Sequence, residues 1–587
     1  MIGRFPILDI APRVEFGGEF VGVKAITHES IEVSATIIRE GHDSLSAQVI
    51  LYGPNGAEIS RTPMVEKWKG SDRLSATVTP NAIGHWHFAI EAFDEQDPAR
   101  NRDAARISCM SEKYPIYVEG ERALVGAWYE FFPRSEGAIK NPDGSITSGT
   151  FTTAIASFQR VADMKFDVLY IPPIHPIGLA FRKGKNNSLD ALPTDPGVPW
   201  GIGGAAGGHD AVNPELGTLK DFDAFVSAAK KLKIDVALDL ALQTSPDHPW
   251  VKSNPEWFTT RPDGTIAYAE NPPKKYQDIY PINFDNDYAG ILAEVKRVVE
   301  FWIARGINFF RVDNPHTKPV HFWQELIGLI NAKHPQVVFL AEAFTRPPMM
   351  HALGRAGFQQ SYTYFTWRVT KQELTDYGNE VAHQTSALFR PNFWVNTPDI
   401  LPTHLQTGAP AIFALRAVLA STLTPSWGMY AGYELYEHER FKEGGEEYLD
   451  SEKYEIKVRD WESATKNGRT LAPFIAQLND IRRNHPALQR LRNLSFHLCE
   501  NDQILAYSKR EGHDLILVVV NLDPARVQET TIHWDFAALG IPERDFAVTD
   551  LLDGSNYTWS AETYVRLDPI GKTSPLGRVA HIAHVKI

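Results

Sequence analysis

Ile307-Asn308-Phe309-Phe310-Arg311-Val312-Asp313, followed by Asn314-Pro315, is the stretch that decides the fold. A largely apolar run closed by Asn-Pro reads as a buried strand of a parallel sheet. Arg311 and Asp313 are two apart, so both point to one face at the strand's C-terminal end. In a (β/α)8 barrel that end is where chemistry happens. Val337-Val338-Phe339-Leu340-Ala341-Glu342 also ends on a carboxylate, and Phe393-Trp394-Val395-Asn396-Thr397-Pro398-Asp399 ends on a third. Three carboxylates on apolar strands suggest glycosyl chemistry, two to break and remake a bond and one to hold the sugar.

Outward from these strands the alternation continues. Ala123 to Phe132, Phe166 to Ile171 and Asp235 to Ala241 read as earlier strands, Gln360 to Phe365 as a sixth and Trp427 to Tyr430 as the eighth. A helix is predicted to begin near Thr218, with Asp221 completing a capping-box variant, and another follows Asp287. This is an α/β chain with a (β/α)8 TIM barrel over 119–485. Two connections, 172–217 and 244–286, are long enough to read as walls or lids of the catalytic face. Residues 1–118 alternate in short strands with turn punctuation, as do 486–587, so each end reads as a β-sandwich domain.

The composition is that of an ordinary globular chain. Its 587 residues are 43% hydrophobic and 22% charged, enough for a barrel and two smaller domains. The net charge of −13 argues against a nucleic-acid surface, so an anionic substrate needs a local basic cluster. The two cysteines, Cys109 and Cys499, form no disulfide framework. With no apolar leader and no membrane-length apolar run, a cytoplasmic protein without membrane partners is expected. Gly201 to Ala206 formally fits a dinucleotide motif, but it follows Pro-Trp rather than a strand and opens no helix. His209-Asp210 and His316 lack a second ligand at metal spacing, so no metal is expected.

The three carboxylate strands resemble those of the α-amylase superfamily, glycoside hydrolase family 13. The resemblance makes Asp313 the nucleophile, Glu342 the acid/base, Asp399 the substrate-clamping aspartate and Asp239 the aspartate of the third strand. Gln243-Thr244 stands where amylases carry Asn-His, and Asn396-Thr397-Pro398-Asp399 where they carry Asn-His-Asp. Two sugar-binding histidines are therefore missing, which argues against plain amylase activity.

A closer resemblance spans nearly the whole chain. Gly126 to Ser135, Gly184 to Asn187, Gln243 to Trp250, Asp313 to Pro319 and Ala341 to Pro347 are similar to segments of the α-1,4-glucan:maltose-1-phosphate maltosyltransferases. That implies maltosyl transfer from α-maltose 1-phosphate to the non-reducing end of an α-1,4-glucan, with release of phosphate and no cofactor. By the same resemblance Asn271, Lys274, Tyr276 and Asn314 hold the phosphate. Lys183, Asn187, Gln243 and Asp278 contact the first glucosyl ring, and Lys453 and Tyr454 lie further out. Arg311 is expected to keep Asp313 ionised and oriented, and Val198 to shape the donor pocket. Similar proteins carry a helical insert in the N-terminal domain that helps form a homodimer. The matching connection here, near 94–118, is short, and a homodimer remains the expectation. Two rival readings stay open: a family 13 hydrolase or isomerase acting on free sugars, and a non-catalytic glucan-binding protein.

Overall fold

Eight parallel strands in the middle of the chain close into a barrel. They are β1 (Gly126–Glu130), β2 (Val168–Ile171), β3 (Asp235–Leu240), β4 (Phe309–Asp313), β5 (Val338–Glu342), β6 (Gln360–Ser361), β7 (Phe393–Trp394) and β8 (Ser426–Tyr430). The ladder runs β6-β5-β4-β3-β2-β1-β8-β7, and a parallel bridge from Ser361 to Pro391 joins its two ends. The computed structural model describes residues 4–40, 45–94, 108–271, 274–571 and 576–586, the side chains of Asn271 and Lys274 excepted.

The barrel interior is filled by side chains from alternate strand positions, as the pleat requires. Trp128, Tyr170, Phe309, Leu340, Tyr362 and Trp394 form this inner cluster. Tyr362 stacks on Trp394 with ring centroids 4.9 Å apart. Gly428 on β8 makes room for that packing, since a Cβ there would meet the Trp394 ring at 2.5 Å. Outside the strands lie α1 (Phe158–Asp163), α2 (Leu219–Lys231), α3 (Tyr288–Ile303), α4 (Val320–Lys333), α5 (Pro347–Arg355), α6 (Lys371–Asn379), α7 (Pro410–Leu423) and α8 (Ala472–Asn484). The capping box expected at α2 is present: Thr218 Oγ1 accepts from Asp221 N, and Asp221 Oδ2 accepts from Thr218 N. Helix α7 is buried on every side from Ala411 to Leu423, because the C-terminal sheet covers the face turned away from the barrel.

Two strands are shorter than the sequence suggests. β6 stops at Ser361 because Thr363 caps a tight turn at Tyr364–Trp367. β7 stops at Trp394 because side chains replace its ladder. Asn396 Oδ1 accepts from Tyr430 N (2.9 Å), and Asn396 Nδ2 donates to the Tyr448 hydroxyl (2.9 Å). Asp399 therefore sits on a turn beyond the strand rather than at its tip.

The N-terminal part packs two sheets over one apolar core. One has strands Ile7–Ala11, Ile31–Ile37, Arg73–Val78 and Val65–Glu66, and the other is centred on Gly84–Asp94. Of the connection expected to be short, residues 95–107 lie outside the described residues, and Ser108–Met110 pairs back onto Gly84–Asp94. The C-terminal part is an eight-stranded antiparallel sheet. Its strand Leu494–Cys499 pairs first with Ile504–Glu511 and then with Gln528–His533, so the sheet folds over its own core. Among the described residues no helix is long and apolar enough to cross a membrane.

Candidate active site

The tips of β3, β4 and β5 meet at one guanidinium. Asp313 and Glu342 are register partners on β4 and β5, and Asp239 is opposite Arg311 on β3 and β4. Adjacent strands lie about 4.8 Å apart, so these residues start as neighbours. Arg311 Nη1 donates to Asp239 Oδ2 (2.9 Å) and to Asp313 Oδ1 (2.8 Å), while Nη2 lies 3.3 Å from Glu342 Oε1. Asp239 Oδ2 also accepts from the Tyr170 hydroxyl (2.6 Å) and Trp200 Nε1 (3.2 Å). Immediately after β4, Asn314 takes a left-handed backbone (φ 42°), which Asn tolerates better than most residues. That turn aims Asn314 N at Glu342 Oε2 (3.2 Å) and leaves the Asn314 residue exposed.

Electrostatics divide the labour among these groups. Burial pushes Glu342 up to about 7, Asp313 and Asp399 add to the rise, and Arg311 opposes it. Burial likewise raises Asp239 to about 7 against the pull of Arg311. Burial alone would lower Arg311, but Glu342, Tyr170, Asp239 and Asp313 hold it well above its ordinary range. The chemistry available is a guanidinium-held carboxylate beside a carboxyl group that keeps its proton near neutrality. Carboxyl groups on adjacent strands suit a double displacement better than a pair held apart for a water.

A second group forms the wall. Lys453 Nζ donates to Asp399 Oδ1, and it lies 5.6 Å from the Trp200 ring centroid and 5.8 Å from that of Tyr454. Burial would lower Lys453, but the Asp399 carboxylate overrides it and keeps the ammonium above its usual range. Asp278 is buried and raised by burial, against Lys183 and Lys453, which face it. Lys183 Nζ donates to Gln277 Oε1 (2.7 Å). Gln243 is half-buried on a short pair with Tyr280–Pro281, and Tyr276 is half-buried at the base of the hairpin formed by Ala269–Asn271 and Lys274–Tyr276. Asn187 is exposed with a positive φ of 66°, behind Asn186, whose amide bonds Asp450. Val198 is buried in the same apolar core as Trp200. The side chains of Asn271 and Lys274 lie outside the described residues.

Three features escaped the sequence reading. Lys318 Nζ reaches the backbone oxygens of Asp313 (3.4 Å) and Asn314 (3.3 Å), pinning the turn after β4. Glu130 is a buried carboxyl at the tip of β1. A histidine relay also backs the loop after β3: Trp250 N donates to His248 Nδ1 (3.0 Å), His248 Nε2 meets His209 Nδ1 (3.0 Å), and His209 Nε2 meets the Ala241 carbonyl (2.8 Å). Gly203, in the stretch that only formally fits a nucleotide motif, and Gly208 make room for His248; a Cβ on either would meet its ring at 2.2 or 2.3 Å. Burial lowers His209 to about 4 and His248 to about 2, so both are neutral at pH 7 and the relay runs donor to acceptor. Such neutral histidines stabilise the fold fully above their ordinary value of 6.5 and lose that contribution as pH falls. His209→Leu should therefore cost ~1–3 kcal/mol at pH 7.5. The gap to the parent in thermal unfolding should narrow by pH 5; a gap that stays constant with pH would contradict this account.

Among the described residues one group could hold a metal ion: His485, Asp514 and His584, where the end of α8 meets the C-terminal sheet. Asp514 is already occupied by His485 Nδ1 (2.8 Å) and Ala487 N (2.8 Å), and the group is no part of the carboxylate cluster.

The barrel likeness to solved structures is broad. A cyclomaltodextrinase superposes with a TM-score of 0.61 at 15% identity, covering 96% of this chain and 97% of its own. A maltogenic α-amylase from Thermotoga neapolitana gives 0.59 at 18% identity, covering 79% and 99%. At such identities the likeness speaks for the fold alone. A family model described as α-1,4-glucan:maltose-1-phosphate maltosyltransferase, domain N/S, matches residues 3–105, and one described as GLGE, C-terminal, matches residues 496–585. The chain is 49% identical to α-1,4-glucan:maltose-1-phosphate maltosyltransferase 2 of Streptomyces coelicolor over 659 aligned positions, covering 100% of this chain and 96% of the relative. The enzyme of that name from Corynebacterium pseudotuberculosis is 46% identical, covering 100% and 97%. Both alignments are longer than this chain, so the relatives hold residues that it lacks. Alignable from end to end with relatives of 46–49% identity, the chain belongs to the α-1,4-glucan:maltose-1-phosphate maltosyltransferase family.

Proposed function

We propose that this enzyme is a retaining glycosyltransferase that moves maltosyl units from α-maltose 1-phosphate to the non-reducing end of α-1,4-glucans and releases phosphate, as a step of α-glucan (glycogen) synthesis. The observation that carries the reading is full-length identity to maltosyltransferases around a carboxylate pair bridged by Arg311.

Asp313 attacks the anomeric carbon as phosphate leaves, and a β-maltosyl ester forms. Glu342 assists departure as an acid, then takes the proton of the acceptor's 4-hydroxyl as a base, so the acceptor oxygen displaces Asp313 and the α-configuration is kept. Phosphate is a good leaving group, so the second proton transfer matters more. Arg311 holds the Asp313 carboxylate in place through Nη1. Asp399, held by Lys453, binds hydroxyls of the reacting ring, with Lys183, Asn187, Gln243 and Asp278 around it and Tyr454 beyond. Asn271, Lys274, Tyr276 and Asn314 take the phosphate.

Incubation with maltose 1-phosphate and glycogen should release one phosphate per maltosyl unit added. Starch hydrolysis with neither release nor growth would favour a hydrolase, and binding without turnover a glucan-binding protein. Lys274→Ala should raise the donor KM about 10- to 100-fold, the scale of a charge-assisted hydrogen bond, and leave the acceptor KM within about threefold. Equal losses for donor and acceptor would remove Lys274 from the phosphate site.

The enzyme acts in the cytoplasm as a homodimer in this reading. Two free cysteines, Cys109 and Cys499, suit a reducing compartment. Cell fractionation and light scattering test the two points, and an extracellular or monomeric protein would refute them.

A further inference from the structure

A buried acid at the tip of β1 has no task in the proposed mechanism. Glu130 is the last residue of β1, is 1% exposed, and its Oε2 has no hydrogen-bond partner among the described residues. Asp239 Oδ1, on a carboxyl bound to Arg311, also has no hydrogen-bond partner among the described residues. Tyr170 neighbours both: it pairs with Glu130 across the β1–β2 ladder, and its hydroxyl donates to Asp239 Oδ2. A buried polar atom without a partner is destabilising, so two that face the same guanidinium call for a common explanation.

The groups that face Glu130 are Arg311, Asp239, Asp399, Glu452, Tyr170 and Tyr362. Arg311, the one cation among them, commits Nη1 to Asp239 and Asp313 and Nη2 to Glu342, while its Nε has no hydrogen-bond partner among the described residues. Asp239 Oδ2 receives three donors, from Tyr170, Trp200 and Arg311, which is how an ionised carboxylate is held. Glu130 Oε2 receives none. A further negative charge beside a guanidinium that already serves three carboxyl groups would be poorly matched. We infer that Glu130 is a positioning residue that carries a proton: as a neutral acid it donates toward the free oxygen of Asp239, and so keeps Asp239 and Arg311 aimed at Asp313. Burial, with Asp239, Asp399 and Glu452 acting in the same direction, holds the Glu130 carboxyl well above the usual range and outweighs Arg311.

The inference rests on the roles proposed for Asp313 and Glu342, and its test separates from theirs. Infrared difference spectra at pH 7, parent minus Glu130→Gln, should show the carbonyl stretch of a protonated carboxylic acid; this needs no turnover. Glu130→Met, similar in size but unable to donate, should lower kcat about tenfold or more with the donor KM within about threefold. It should also move the acidic limb of kcat/KM to higher pH, because an ionised Asp239 loses a donor. Glu130→Gln, which can donate, should recover most of kcat and restore the limb. Absence of the acid band would overturn the protonated state. Met and Gln variants that match each other in kcat and in the acidic limb would overturn the positioning role. Should the Met variant fail to fold, the infrared result on the Gln variant still decides the protonation.

Discussion

Asp313→Ala abolishes maltosyl transfer, with kcat/KM expected to fall by about 10⁴-fold or more, the scale seen when a nucleophile is removed from a covalent mechanism. The reason is local. Asp313 ends β4 with one oxygen on Arg311 Nη1, so its lone pairs are held in place and its charge is matched. Shortening it to Ala leaves Arg311 tied to Asp239 and Glu342, so the barrel should fold and the loss should be chemical. Circular dichroism and thermal unfolding of the variant check that. A variant within tenfold of the parent would mean that another group attacks the anomeric carbon.

Glu342→Ala is expected to split the two half-reactions. General acid–base assistance is worth about 10²- to 10⁴-fold. Phosphate needs little help to leave, while the acceptor hydroxyl needs a base. Rapid mixing with maltose 1-phosphate should therefore give a burst approaching one phosphate per active site, then slow turnover. In the parent, the buried carboxyl pushed up to about 7 predicts a shallow decline of kcat/KM for the donor above that pH, since the acid form is lost but phosphate leaves with little help. The decline should be absent in Glu342→Ala. A variant with no burst, or one that keeps the alkaline decline, would move the acid role to another group.

Much of this arrangement could be read before any coordinates, and the exceptions have physical causes. Parallel strands buried on both faces write themselves as apolar runs, so the barrel and the shared face of Arg311 and Asp313 follow from periodicity alone. Register does not: that Asp313 faces Glu342, and Asp239 faces Arg311, depends on how the sheet staggers as it closes. The end of β7 was misjudged because Asn396 replaces ladder bonds with its own amide, a substitution invisible in a hydrophobic pattern. Lys453 meets Asp399 from 54 residues away, and only the folded loops bring it there. Glu130 escaped notice because Trp128-Tyr129-Glu130-Phe131-Phe132 looks like a strand that happens to contain a charge. Its lack of a partner for Oε2 is a property of the closed barrel. The relay through His248 and His209 joins residues 39 apart and leaves no mark on either segment.

The convergence of the β4 and β5 carboxyls on one anomeric centre is tested most directly by trapping the sugar. Glu342→Ala should be loaded with α-maltosyl fluoride, digested at low pH and mapped by mass spectrometry. The mechanism predicts one maltosyl group, esterified to Asp313, on the peptide that contains Arg311 to Lys318. An adduct on a different carboxylate, or none in a variant that still releases fluoride, would contradict it.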